Sequence, residues 1–147
     1  MNYATVFIRL ALAASFLSAV ADRFGLWGPY GQPHVAWGTF SSFTAYTGKL
    51  LWFLPRTLYP LMAWTATAAE MVFGVGLIIG LFTRVIAFMS GILLLTFALA
   101  MTFSLGIKAP LDFSVFSASA GAFLLAGFER YPWSLDSLRF RGQSTPH

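Results

Sequence analysis

One long apolar stretch constrains the fold of this chain more than any other feature, because residues 57–83 contain a single acidic or basic side chain, Glu70. Arg56 and Arg84 flank Glu70 at equal distances, each about 21 Å away along a helix that rises about 1.5 Å per residue. Such a helix crosses the roughly 30 Å hydrocarbon core of a bilayer and places the carboxyl group near its middle. A charge at that depth costs on the order of 2.5–3.5 kcal/mol or more, so we expect Glu70 to face the protein interior, a partner or a wet cavity. A protonated Glu70 that forms one interhelical hydrogen bond is the simpler alternative.

The composition is that of a membrane protein. Of the 147 residues, 58% are hydrophobic and 10% are charged, whereas soluble domains carry roughly 25% charged residues. The net charge of +4 comes from basic residues scattered between apolar segments, so we expect no nucleic-acid partner. The chain has no cysteine and two widely separated histidines, His34 and His147. Disulfides, thiolate chemistry and a dedicated metal site are therefore not expected.

Four apolar segments are long enough to cross a bilayer as helices. They cover residues 3–21, 58–81, 85–107 and 110–128. The turn between the second and third segments is so tight that these two must be antiparallel neighbours. We therefore predict an all-α fold: a single-domain, polytopic membrane four-helix bundle with a polar tail over 129–147. A signal peptide is a competing interpretation of the first segment, because residues 19–21 resemble a cleavage site.

The distribution of basic residues bears on orientation, since cytoplasmic loops are enriched in Lys and Arg. With both termini in the cytoplasm, the inner side carries Arg9, Arg84, Arg130, Arg139 and Arg141. The outer side then carries Arg23, Lys49, Arg56 and Lys108. The small excess and the basic tail favour cytoplasmic termini in a bacterial-type inner (plasma) membrane.

The connection between the first two segments has a structure of its own. Four aromatic residues recur there at three-residue spacing: Trp37, Phe40, Phe43 and Tyr46. This pattern predicts a short helix within residues 35–54 that lies in the membrane interface. A lid over the end of the bundle is favoured over a ligand-binding role. His34 and Tyr46 are the polar aromatic residues that would contact a ligand at headgroup depth.

Small residues surround Glu70 on its helix. Ala66, Glu70 and Gly74 share one face, and small residues allow helices to approach closely in lipid, so this face is expected to be buried. Thr67, one turn earlier, is an expected hydrogen-bond donor to Glu70. Arg9, in the first segment, either extends its side chain to the headgroups or reaches inward to pair with Glu70.

The residues resemble those of the DoxX-like membrane proteins in three places. The first is Arg9, early in the first segment, and the second is Ala69-Glu70 followed by LIIGLFTR, which ends at Arg84. The third is the tail GFERYPWSLD over residues 127–136. The resemblance covers most of the chain. It implies a compact four-helix membrane fold and an association with redox systems, since the name-giving members are subunits of a thiosulfate:quinone oxidoreductase.

Two main functions are expected from these observations, and whether the chain is itself an enzyme stays open. In a quinone-linked redox subunit, Glu70 would relay protons, Arg9 would polarise a quinone carbonyl, and Tyr46 or His34 would close the site. Thr67 would bind beside Glu70, Arg84 is a further candidate ligand-binding residue, and a partner subunit would supply the electrons. In a non-catalytic scaffold or assembly subunit, an Arg9–Glu70 pair would hold the helices in register within a larger complex or a homo-oligomer. A small-molecule carrier has less support, because no inverted repeat or broken helix is evident.

Overall fold

The structure, a computed structural model, describes residues 3–141, and this part of the chain is all-helical without a strand. The helices are α1 (Tyr3–Arg23), α2 (Phe40–Leu50), α3 (Tyr59–Ile79), α4 (Thr83–Leu105), α5 (Lys108–Asp112), α6 (Val115–Ala126) and α7 (Leu135–Arg141), and a 3₁₀ turn, Arg56–Leu58, precedes α3. Three helices are long and apolar enough to cross a membrane: α1, the turn continued by α3, and α4. The expected all-α class with long apolar helices is thus confirmed. Residues 142–147 of the predicted polar tail, including His147, lie outside the described residues.

Local signals explain where the predicted helical hairpin begins and ends. Pro60 occupies the first turn of α3, where its missing N–H is not needed. Gly80 ends α3 in the left-handed conformation, with φ +70°, and its N–H donates to Gly76 O at 2.9 Å. Glycine adopts this conformation without steric cost. Only residues 80–82 separate α3 from α4, which makes the two helices consecutive and antiparallel.

The fourth apolar segment differs from the continuous helix predicted over 110–128. It contains α5 and α6, which are separated at Phe113 and Ser114. Ser114 has φ +55°, in the left-handed region that interrupts an α-helix. The backbone amides at the break stay bonded, since Phe113 N donates to Ala109 O at 3.2 Å and Ser114 N to Leu111 O at 3.0 Å.

Close packing of α1 on α3 and of α4 on α6 forms the core. A methyl group on Gly74 would lie 2.8 Å from the Leu17 side chain, and one on Gly91 would lie 2.8 Å from the Phe123 ring. Small residues at these places therefore set the spacing of the helices. The buried apolar cluster comprises Leu12, Ala13, Phe16, Leu77, Ala87, Ala122, Leu125, Ala126 and Tyr131.

The register of α1 on α3 determines what lies at each end of the bundle. Gly80 is close to Arg9, and Gly74 packs against Leu17 and Ala13. We call the end at Arg9 and Gly80 the terminal end. At the opposite end, α3 extends about 12 Å beyond Thr67 to Tyr59. There α2 packs against both neighbouring helices, because Gly48 lies on the Tyr59 ring and Ser104 Oγ donates to Leu50 O at 2.6 Å. We call this the α2 end.

Candidate functional site

The centre of the candidate site is a buried ion pair between Arg23 and Glu70. Arg23 Nη2 lies 2.9 Å from Glu70 Oε1 and 2.7 Å from Oε2, while Nη1 donates to Thr67 Oγ1 at 2.8 Å. The side chains of Arg23 and Glu70 are only 2% and 3% exposed. The expectation that Glu70 faces the protein interior is confirmed, and its carboxylate has a cationic partner.

Of the two alternatives for Arg9, the pairing with Glu70 was wrong. Arg9 does not pair with Glu70, because the antiparallel register places Arg9 beside Gly80 at the terminal end. Arg23 ends α1 and lies level with the middle of α3 instead. The predicted donation from Thr67 to Glu70 was also wrong. Thr67 Oγ1 donates to Ala63 O at 2.8 Å, one turn earlier in its own helix, and accepts from Arg23.

Aromatic rings cover the guanidinium group of Arg23. Its Cζ lies 3.6 Å from the centre of the Phe43 ring and 5.3 Å from that of Trp37. Tyr46 packs beside Trp37 with the ring centres 6.0 Å apart. A desolvated cation over aromatic faces gains on the order of 2 kcal/mol. The charge of Arg23 is therefore stabilised by Glu70 on one side and by rings of the 37–46 segment on the other.

Asp22 holds this aromatic segment in place. Its carboxylate accepts hydrogen bonds from the backbone N–H groups of Ala36, Trp37 and Gly38, at 2.8, 3.0 and 2.8 Å. Gly38 has φ +65°, and a Cβ there would collide with the backbone of residues 29–30. The segment thus follows a path that requires glycine at this position. Thr39 then begins α2 by accepting a hydrogen bond from Ser42 N at 3.2 Å, as N-cap residues do.

A three-ring aromatic cluster extends from the site to the surface. Phe40 lies 4.2 Å from Trp64 and 5.9 Å from Phe24, measured between ring centres, and it also contacts Phe43 at 6.1 Å. Phe24 is 50% exposed and Trp64 is 52% exposed. The covered cation at Arg23 is therefore continuous, through Phe43 and Phe40, with flat apolar surface on the outside of the protein.

A second polar cluster fastens the C-terminal segment at the terminal end. Arg9 is buried and donates to Pro132 O at 3.2 Å and to Trp133 O at 2.6 Å. The Asp136 carboxylate accepts from the backbone N–H groups of Phe82 and Thr83 at 2.9 and 2.7 Å. These two N–H groups begin α4, where a carboxylate also interacts favourably with the helix dipole. Arg9 and Asp136 thus hold the chain beyond α6 against the α3–α4 turn.

The remaining predicted site residues are dispersed. His34 is exposed, with φ +69°. Tyr46 is half-buried next to Trp37, and its burial raises the pKa of the phenol. Arg84 is exposed at the terminal end, far along α3 and α4 from Glu70. The structure therefore brings Glu70, Thr67 and Tyr46 towards Arg23, and it does not bring Arg9, His34 or Arg84 there.

Sequence reasoning missed four residues that build the site: Asp22, Arg23, Trp37 and Phe43. In the sequence, Arg23 counts only among the basic residues of the outer side, and Asp22 has no predicted role. The available signal was a cation placed next to an acid and followed by an aromatic-rich segment, which indicates a covered ion pair as readily as a headgroup contact.

No group of three or more His, Asp or Glu side chains that would hold a metal occurs among the residues the structure describes. Comparisons with family models, with curated proteins and with solved structures found no match to this chain. The similarity to DoxX-like proteins accordingly stays a prediction that rests on the sequence motifs.

Proposed function

We propose that this chain is an integral membrane protein with four membrane-crossing segments. Beside the three long apolar helices, α5 and α6 would together make the fourth crossing. Their 5 and 12 residues correspond to helical lengths of about 8 and 18 Å at 1.5 Å per residue. Support comes from Ser119 Oγ, which donates to Gly91 O at 2.8 Å and joins α6 to α4. A broken helix is tolerated in a membrane when its backbone groups find partners within the protein.

The α2 end is proposed to lie at the outer surface of a bacterial-type inner membrane. Three exposed side chains lie close together in sequence at this end: Lys49, Trp52 and Phe53. Aromatic and basic side chains concentrate at membrane interfaces. Exposed Arg84 and Arg130 lie at the terminal end, which is then cytoplasmic. Arg9 and Arg23 are buried, so neither serves as a headgroup charge.

For the activity, we propose a non-catalytic scaffold or assembly subunit of a membrane complex. The observation that carries this proposal is the buried Arg23–Glu70 pair, which joins α1 to α3 and lies under the Phe43 ring of α2. A carboxylate that exchanges protons during turnover needs a path to water, whereas Glu70 is 3% exposed. The pair instead fixes α1, α3 and α2 in one arrangement. The resulting apolar body would present its surface to partner subunits or to a second copy.

Purification from native membranes tests the scaffold role. We expect Glu70→Gln to lower thermal stability and the recovery of co-purifying subunits, while the turnover of each assembled complex stays unchanged. Lys108→Gln is the control, because it removes an exposed pair with Asp112, and exposed pairs contribute little. Full recovery of the complex together with lost turnover in Glu70→Gln would contradict a scaffold and indicate a catalytic carboxyl group.

A quinone-linked redox subunit is the second candidate, favoured by the aromatic cluster of Phe24, Phe40 and Trp64. Lipid-soluble ring compounds bind apolar slots that offer a few polar groups. The exposed faces of Phe24 and Trp64 suit a planar ring. A bound quinone would accept electrons that a partner subunit supplies. The chain itself would bind the ring through these aromatic faces.

Two tryptophan variants separate these functions. If the cluster binds quinone, Trp64→Ala should reduce the quinone extracted with the purified protein and the quinone-dependent turnover of its complex. Trp52→Ala should change neither, because Trp52 is exposed but contacts Phe53 outside the cluster. Equal quinone content in both variants and the unmodified protein would exclude this binding site.

A further inference from the structure

A groove between α4 and α6 opens at the terminal end. Its volume is about 490 Å³, and its walls are formed by Arg84, Val85, Phe88, Phe123, Ala126 and Gly127. Five of these residues are apolar, and Arg84 supplies the one charge, at the first turn of α4. From Arg84 to Phe88 the groove runs inward by about 6 Å along the helix.

The charge of Arg84 is available to an external anion. The salt bridges among the described side chains are Arg23–Glu70 and Lys108–Asp112, and Arg84 belongs to neither. Asp136, the carboxylate fastened at this end, already accepts two backbone N–H groups of the α3–α4 turn and interacts with the charge of Arg9. Arg84 itself is exposed.

The order of groups along the groove matches that of a phospholipid. Val85 and Phe88, which are 61% and 50% exposed, lie on the membrane side of Arg84, where acyl chains cover apolar surface. The guanidinium group lies at the mouth, where phosphate oxygens would be, and arginine binds phosphate through paired hydrogen bonds. We propose that this groove binds an anionic glycerophospholipid, with one acyl chain between α4 and α6 and the phosphate on Arg84.

The preference for an anionic headgroup follows from the charge of Arg84 at the mouth of the groove. Arg130, exposed four residues beyond α6 and next to the exposed Glu129, does not line the groove. A zwitterionic headgroup would bring its ammonium group towards Arg84, whereas an anionic headgroup adds no positive charge. The apolar groove at the α2 end, between residues 50–53 and α4, has no charged lining residue. No headgroup preference is expected there.

Native mass spectrometry of the full chain, released from nanodiscs of equal phosphatidylglycerol and phosphatidylcholine, tests the proposal. We expect the unmodified protein to retain one phosphatidylglycerol in preference to phosphatidylcholine. Arg84→Gln should lower that preference about fivefold, which corresponds to about 1 kcal/mol for one basic residue near a membrane surface. Arg84→Lys should keep most of it. Arg130→Gln is the matched control and should keep the retained lipid, because Arg130 does not line the groove.

A groove-filling variant provides the second measurement. Gly127 is exposed and has an ordinary φ of −74°, and a Cβ there would lie 3.3 Å from Leu124 O. Gly127→Leu should therefore fold with a small local shift while occupying the space for the acyl chain. It should reduce retention of both lipids although Arg84 is intact. The proposal is overturned if the unmodified protein shows no preference for phosphatidylglycerol, if Arg130→Gln lowers it as much as Arg84→Gln, or if Gly127→Leu leaves the bound lipid unchanged.

Discussion

A double-mutant cycle on Arg23 and Glu70 tests the central contact of this structure. The perturbations are Glu70→Leu, Arg23→Met and the two combined. Glu70→Leu leaves a guanidinium group that is 2% exposed without its hydrogen-bonded anion, while Asp22, which also interacts with the charge of Arg23, stays in place. Removing one partner of a buried pair costs about 3–5 kcal/mol, because the other charge stays buried and uncompensated. We expect a loss of that size in the free energy of unfolding.

Removing Arg23 should lower the free energy of unfolding by less than removing Glu70. Arg23→Met removes the contacts with Phe43 and Trp37, worth about 0.5–2 kcal/mol. However, an isolated carboxyl group becomes neutral by binding a proton, whereas a guanidinium group cannot lose its charge. We therefore expect a loss of about 2 kcal/mol. The double variant leaves no unpaired charge, so its loss should fall short of the sum of the single losses by about 2 kcal/mol or more.

Reversible unfolding by SDS titration in mixed micelles measures these three differences. The control is Lys108→Gln, which removes one partner of the exposed Lys108–Asp112 pair and should leave the midpoint close to that of the unmodified protein. Strict additivity of the two single losses would refute a direct interaction. A smaller loss for Glu70→Leu than for Arg23→Met would refute the reasoning on which charge is left unpaired.

Two further predictions concern the ends of the bundle. Asp136→Ala should lower the free energy of unfolding by about 1 kcal/mol, because Phe82 N and Thr83 N lose their acceptor. It should also expose the C-terminal segment to limited proteolysis, and an unchanged cleavage pattern would contradict the docking role of Asp136. Burial raises the pKa of Tyr46 in the folded protein above its ordinary value of 10.0. The stability contributed by the buried, neutral phenol is therefore fully present below pH 10 and is lost as the pH rises through the raised pKa of the folded state. Tyr46→Phe should reduce the alkaline loss of stability seen in unfolding measured against pH.

The long helices could be predicted from hydrophobicity, but the break in the fourth segment could not. Residues 57–83 and 85–107 are long and nearly uncharged, which predicts membrane helices, and a three-residue turn leaves only an antiparallel arrangement. Ser114 carries no such signal. Serine is common within membrane helices, so the residue type does not mark the left-handed conformation found at this position.

The importance of Glu70 could likewise be predicted, while its partner could not. A lone acid in an apolar helix must be compensated, and this conclusion needs no knowledge of the neighbours. Choosing between Arg9 and Arg23 requires the register of α1 on α3. That register depends on contacts such as Gly74 with Leu17, which no single-sequence pattern specifies. The Asp22 carboxylate adds a second long-range contact by fixing Ala36 and Gly38.

The two arginines of α1 show how the ends of this bundle depend on one another. Arg9 and Arg23 are both buried and lie about 21 Å apart along one helix, so α1 on its own carries two charges into apolar surroundings. Arg23 is compensated by α3, whereas Arg9 depends on carbonyl oxygens at Pro132 and Trp133, which follow the last apolar segment. The α1–α3 contact can therefore form as soon as α3 exists, but the terminal end is complete only after residues 127–136 have docked. The tail that resembles the DoxX-like ending is in this structure the part that satisfies Arg9.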